Sequence, residues 1–214
     1  MTGYFISFEG GEGSGKTTQI QFLLDRISNS GLEIDPVVTR EPGGTESAES
    51  IRQLLVTGTA ERWRPATEAM LMSASRHEHV THVLRPALAA GKLVICDRYN
   101  DSTRVYQGIV GGVPRDAIEA LNNLACGDLV PNLTVLLDMD VEEGLRRASG
   151  RAGDESRFES KGVAFHKQVR TAFLDLAGRY NDRFVVVDAS RSVDKVAADI
   201  ADIVMPRLAA AHLS

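Results

Sequence analysis

Short apolar runs alternate with longer amphipathic stretches along most of this chain. Residues 3–8 form a β-rich run, and residues 15–30 carry Ile20, Leu23, Leu24 and Ile27 at helical spacing before Gly31. Val37-Val38-Thr39 predicts a second short strand. Arg40-Glu41-Pro42-Gly43-Gly44 is too rich in breakers for either element. Thr45 suits the N-cap of a helix carrying Ile51, Leu54 and Leu55. After a loop at 58–65, a long helical pattern runs from Thr67 to Arg85 and is expected to stop before Pro86. Leu93–Cys96, Leu133–Leu137 and Phe184–Val187 are continuous apolar runs, the signature of central parallel strands. Helices are expected near 114–126 and 141–149. Two more carry Phe165, Val169, Phe173, Leu176 and Tyr180, and Val193, Val196, Ala197, Ile200 and Val204. Five strands alternating with helices predict one α/β domain over 1–214, with a mostly parallel sheet flanked by helices on both faces. Ligands in such sheets sit beyond the C-terminal strand ends. That rule directs attention to residues 9–17, 40–45, 97–107 and 138–140.

The first of these loops is the most informative. Gly10-Gly11-Glu12-Gly13-Ser14-Gly15-Lys16-Thr17, followed by Thr18, fits G-x-x-x-x-G-K-[ST] between a strand and a helix, the arrangement of the P-loop NTPase fold. Glycines let backbone N–H groups turn inward around a phosphate, and the helix N-terminus adds partial positive charge. Lys16 can reach the β/γ-phosphates, and the Thr17 hydroxyl can hold Mg²⁺. A chance glycine turn would lack the flanking strand and helix, so binding of a nucleoside triphosphate is the expectation.

Composition then narrows the class. At 43% hydrophobic, 25% charged and a net charge of −5, the chain has no global field favouring nucleic acid. Two cysteines, Cys96 and Cys126, give no disulfide framework. No segment has the length of a membrane span, and no signal-peptide pattern precedes the first strand, so a cytoplasmic protein is expected.

Asp97 follows an apolar strand, where a second Mg²⁺-organising carboxylate belongs; the alternative is a helix cap. Arg98 and Arg40 also sit at strand ends. Either could be a surface ion pair, but together they point to a second anion site, since the guanidinium fork binds phosphate bidentately. Two adjacent phosphate sites favour phosphoryl transfer over simple hydrolysis. Arg146, Arg147, Arg151 and Arg157 lie in or beside a small-residue stretch. They read either as a solvated loop or as a lid around 146–159 that closes over phosphates and excludes water.

These residues together resemble the bacterial thymidylate kinases. The resemblance runs through Phe8-Glu9-Gly10, Thr39-Arg40-Glu41-Pro42-Gly43-Gly44-Thr45, Arg76, Asp97-Arg98-Tyr99, Ser102-Thr103, Tyr106-Gln107-Gly108 and Arg157-Phe158-Glu159. It implies a homodimeric kinase using ATP and Mg²⁺ to convert dTMP to dTDP on the route to dTTP. It further implies that Glu12 approaches the deoxyribose 3′-hydroxyl, and that Arg40 and Arg98 clamp the dTMP phosphate. Arg76 would donate to the thymine carbonyl, Thr103 and Gln107 would contact the base, and Tyr106 would pack against the sugar. Arg151 and Arg157 would stabilise the moving phosphoryl group. Two positions depart from the family pattern. Met72 stands where an aromatic residue usually stacks on thymine, and Ser156 precedes Arg157 where the family has Asp. Rival readings are a kinase for a deoxynucleoside or another monophosphate, and a GTP-binding switch. The switch reading lacks the Asn-Lys-x-Asp guanine signature.

Overall fold

The computed structural model describes residues 3–149 and 157–212. Its centre is a five-stranded parallel sheet in the order β2-β3-β1-β4-β5. The strands are β1 (Tyr4–Gly10), β2 (Pro36–Arg40), β3 (Leu93–Asp97), β4 (Leu133–Asp138) and β5 (Phe184–Asp188). The register sets Phe8 beside Asp97 and Arg40 beside Asp97, and it sets Gly10 beside Leu137. The C-terminal ends of β1, β2 and β3 therefore converge on one edge, where Asp97 is central.

Alternate residues of β1 face opposite layers. Ile6 and Phe8 pack with Ile20, Leu23 and Ile27 of α1 (Lys16–Ser28) and Val196, Ile200 and Val204 of α9 (Val193–His212). Phe5 packs on the other side with Val80, Leu84, Val94 and Tyr99. A third cluster joins Tyr106, Leu136 and Phe173. Its helix is α8 (Gly162–Arg179), which follows a short 3₁₀ turn, Glu159–Lys161. The helix α7 (Val141–Ala148) carries the chain to the undescribed residues 150–156, and α6 (Arg115–Cys126) packs against α3 (Pro65–His79). Thr45 does cap α2 (Glu46–Val56), accepting from the Ala48 N–H at 3.1 Å.

Two expectations about helices fail, each for its own reason. The helix expected to stop before Pro86 continues: α3 passes through a π-helical segment, Val80–Leu84, into α4 (Arg85–Ala89). Proline lacks the N–H for an i−4 bond and its ring crowds the i−4 carbonyl. The wider π turn just before Pro86 lets the axis pass that defect. The stretch 97–107, expected as loop, is mostly helical: α5 (Asn100–Thr103) runs into a second π-helical segment, Arg104–Val110. Its polar start is held by tertiary partners. Asp101 is fully buried and accepts from Arg183 Nη1 at 2.7 Å and from Arg104 Nη1 at 2.9 Å. Arg40 is the last residue of β2, at the strand end where its neighbourhood of breakers begins.

Candidate active site

The phosphate loop forms as its glycines require. Gly13 and Gly15 adopt left-handed φ of 69° and 90°, conformations that favour glycine. A Cβ on Gly13 would fall 1.9 Å from the Gly144 carbonyl oxygen. The loop is thus seated on the backbone of α7. Lys16 is 8% exposed. Its Nζ folds over the loop and donates to Gly11 O at 3.2 Å and Gly10 O at 3.4 Å. Burial, joined by the charge of Arg98, pushes its pKa below the ordinary lysine value. Ser14 is buried under it, while Thr17 and Thr18 are exposed in the first turn of α1.

Thr17 Oγ1 donates to Asp97 Oδ2 at 3.2 Å. Two oxygens, one from the first turn of α1 and one from the end of β3, thus lie side by side at the mouth of the loop. Among the described residues, no group of three His, Cys, Asp or Glu forms a ready-made cage. Two protein oxygens with open space beside a phosphate loop suit Mg²⁺, which keeps waters and borrows phosphate oxygens for the rest of its shell.

Beside the loop lies an open cleft lined by Glu12, Glu41, Arg52, Met72, Arg76, Arg98, Ser102, Thr103, Tyr106, Gln107 and Phe158, among others. Arg98 is its charged centre. It is the one non-glycine with positive φ among the described residues, at 69°. Backbone strain of this kind persists only where surroundings over-determine it. Here the Arg98 N–H donates to Phe8 O at 2.9 Å, and the next N–H, of Tyr99, donates to Glu9 Oε1 at 2.9 Å. The Arg98 side chain then reaches Glu12 Oε1 at 2.9 Å and Gly10 O at 3.0 Å. Tyr106 also donates to Glu12 Oε1, at 3.2 Å. Burial would raise the pKa of Glu12, but Arg98, Lys16 and His166 outweigh it and hold the carboxyl below its ordinary range. Glu12 is therefore an ionised acceptor near neutral pH.

Arg76 is 2% exposed. Its Nε donates to Glu41 Oε2 at 2.6 Å, and Nη2 donates to Thr103 Oγ1 at 3.1 Å. The other oxygen of Glu41 accepts from His79 Nδ1 at 3.0 Å, and His79 Nε2 shares a 2.7 Å hydrogen bond with Thr39. A buried chain from β2 thereby fixes the guanidinium in the cleft wall. Met72 lies one helical turn before Arg76 and lines the same cleft.

Two residues stand elsewhere than expected. Arg40 does not line the cleft; it is 53% exposed at its side chain and paired with Glu49 at 3.2 Å. The cleft's other arginine is Arg52 of α2, braced by Pro42 O at 2.8 Å. Arg157 is 1% exposed, and its guanidinium is spent. It donates to the carbonyls of Thr59 at 3.0 Å, Leu55 at 3.1 Å and Ala60 at 3.0 Å, and forms an ion pair with Glu68. It anchors the chain after residue 156 to the turn between α2 and α3. Arg151 lies outside the described residues. Arg146 and Arg147, on α7, both pair with Glu143.

Sequence reasoning gave no role to Glu9, Glu41, Arg52, Glu68 or His166. Glu9, Glu41 and Arg52 stood inside or near conspicuous motifs. The amphipathic period of α2 could have placed Arg52 four residues from Ala48, on a face turned inward. Nothing local marks Glu68 or His166.

Comparisons with known proteins name a family. The family model described as thymidylate kinase matches residues 8–200. The chain belongs to the thymidylate kinase family. It is 52% identical over 206 residues to the thymidylate kinase of Caulobacter vibrioides, covering 96% of this chain and 98% of that one. It is 47% identical over 207 residues to that of Ruegeria pomeroyi, covering 97% of each. Its fold is similar to a crystal structure of thymidylate kinase from Ehrlichia chaffeensis, with a TM-score of 0.76, 31% identity, and coverage of 95% of this chain and 100% of the other. The parallel sheet flanked by helices is that of a P-loop NTPase, and the family is one of nucleoside monophosphate kinases.

Proposed function

We propose that this chain transfers the γ-phosphoryl group of ATP to dTMP, giving dTDP on the route to dTTP. The observation that carries this reading is the pairing of a complete phosphate loop with a second, arginine-centred cleft across Asp97. ATP phosphates fit the loop amides from Gly10 to Thr18 with Lys16 over them. Thr17 and Asp97 would hold Mg²⁺, which supplies charge neutralisation on the phosphate oxygens when bound. In the cleft, Arg98 and Arg52 suit the acceptor phosphate, with Arg40 swinging from Glu49 as a further contact. Arg76, Thr103, Gln107 and Met72 face the base. Glu12 and Tyr106 suit the sugar: an ionised carboxylate accepts from a 3′-hydroxyl, and the ring fills space beside the 2′ carbon. Catalysis is then positioning and electrostatics, with no covalent intermediate. The lid around 146–159 would close over both phosphates, with Arg151 as its arginine for the moving group and Arg157 as its buried root.

A kinase for nucleosides would not need two arginines at the acceptor end, and family membership disfavours that alternative. No described helix is long and apolar enough to cross a membrane, and a cytoplasmic location fits the nucleotide substrates. Homodimer formation through the helical faces fits the exposed Leu54, Met70 and Leu124. The test is a panel of nucleosides and monophosphates assayed with ATP and Mg²⁺. Rapid turnover of dTMP with none of thymidine is the expected result; preference for a nucleoside would overturn the assignment.

A further inference from the structure

Gln107 is 1% exposed in the wall of the acceptor cleft. Its Nε2 donates to Glu68 Oε2 at 2.9 Å. A carboxylate can only accept, so the amide cannot turn over without setting oxygen against oxygen. Glu68 is itself 1% exposed and has no freedom to turn. Its other oxygen is held by Arg157 and, at 3.5 Å, by Lys161 Nζ. With its nitrogen committed to Glu68, the planar amide of Gln107 turns its oxygen away from the carboxylate. Arg76 stands in the same wall as a fixed donor. The base end of the cleft thus offers one donor and one acceptor. A ring with a carbonyl beside an N–H matches that pair, as in thymine or uracil. Cytosine reverses both positions, with an amino group for the carbonyl and a bare nitrogen for the N–H.

We propose that Glu68 is a positioning residue that selects the base. By holding the nitrogen end of Gln107, it leaves the oxygen end for the acceptor and so admits a pyrimidine with an N3–H. The inference rests on the dTMP kinase reading above and names what enforces its base specificity. Glu68 never touches the substrate. The carboxylate that sets this polarity is also the one that holds Arg157 at the root of the lid.

The test compares dTMP and dCMP in the native chain, Glu68→Gln, Gln107→Leu and the double variant. Inhibition of dTMP phosphorylation by dCMP gives the dCMP affinity even where dCMP is not turned over. In Glu68→Gln the side-chain oxygen stays with Arg157, and an amide nitrogen now faces Gln107. The Gln107 amide then turns over and shows a donor to the base. The preference for dTMP over dCMP should fall about tenfold or more, in line with the discrimination of one well-placed hydrogen-bonding pair. Gln107→Leu should lose a comparable share, and the double variant no more than Gln107→Leu alone. A purely structural Glu68 predicts something else: both nucleotides weaken equally and the ratio stands unchanged, which overturns the proposal. Should Glu68→Gln not fold, Glu68→Asp keeps a carboxylate for Arg157 but draws it back from Gln107, which frees the amide to turn and should lower the ratio in the same direction. The native chain separates the two failures. No turnover of dTMP refutes the activity itself, whereas turnover with an unchanged ratio in the variants refutes only the role of Glu68.

Discussion

The phosphate loop takes its residues from one unbroken stretch, Gly10 to Thr18, while the neighbouring cleft draws its lining from Glu12 through Phe158. In the loop the working groups are backbone amides, and glycine geometry alone shapes them. In the cleft the working groups are side chains, and three of them are aimed by buried carboxylates: Glu9 behind the Arg98 turn, Glu41 on Arg76, Glu68 on Gln107. A local site can lose a side chain without losing its shape. A site assembled over long range by buried charge cannot. Substitutions should therefore separate activity from stability in the loop and join them in the cleft.

The largest effect on activity belongs to Lys16. Lys16→Ala removes the one cation that the loop itself supplies. Removing a single preorganised donor costs on the order of 10²–10³ in turnover, and a phosphate-bridging cation should cost at least that. The melting temperature should barely move, because among the described residues Lys16 Nζ hydrogen-bonds within its own loop, to Gly10 O, Gly11 O and Ser14 Oγ. Steady-state kinetics beside a thermal melt decides. A variant with near-native turnover would contradict the phosphate-loop assignment.

Arg157→Ala should do the reverse. It strips Glu68 of a buried partner and three carbonyls of their donor. Breaking a buried pair costs about 3–5 kcal/mol. For a chain of this size that corresponds to a fall in melting temperature on the order of 10 °C. Turnover at low temperature should suffer less than the melt. A variant that melts normally but has lost two or more orders of turnover would return Arg157 to the moving phosphoryl group, where the sequence alone had placed it.

That misplacement shows what was legible. The loop, the five strands and their mostly parallel arrangement follow from the pattern of the chain, because apolar runs, glycine spacing and the alternation with helices are read directly from it. Arg76, Arg98, Thr103, Tyr106 and Gln107 could be singled out by the family resemblance and do share one cleft. Arg157 could not be placed correctly. In sequence it is one arginine among several beside small residues, and its buried partner Glu68 stands on a helix far upstream. Arg40 failed similarly: the end of a strand fixes the backbone, but the side chain followed Glu49 outward. The helical run through Pro86 and the helix after Tyr99 depend on π turns and on Asp101 pairing with Arg183, neither of which has a local signature.

A smaller effect, read through pH, tests the buried carboxylate behind Arg98. Burial, opposed by Arg98, raises Glu9 to about 7. A carboxyl raised in the fold favours its protonated form there. Its contribution is complete below the unfolded value near 4.5 and is lost as pH rises through about 7. Glu9→Gln removes this titration. The difference in melting temperature, variant minus native, should therefore climb between these two pH values and level off above them. Arg98, Asp101, Lys16 and Tyr106 all border this carboxyl and are unchanged by the substitution. A difference that stays flat across the window would show that Glu9 keeps an ordinary carboxyl pKa in the folded chain.

Met72 gives the smallest effect and tests how finely the cleft is shaped. It lines the cleft one turn from Arg76, where family members usually place an aromatic ring. A thioether on a ring face contributes about 0.3–1.5 kcal/mol, and an aromatic stack about 1–3 kcal/mol per base. Met72→Phe should therefore tighten dTMP by about 1 kcal/mol, the difference between the middles of these ranges, or leave it unchanged where they overlap. ATP affinity should not move, since the loop is built without Met72. Titration of dTMP into Met72→Phe, with Met72→Ala alongside, sets the scale. Alanine removes the contact and should weaken dTMP. If phenylalanine weakened it as much while the melt stayed native, the cleft would be fitted to the slimmer, flexible methionine.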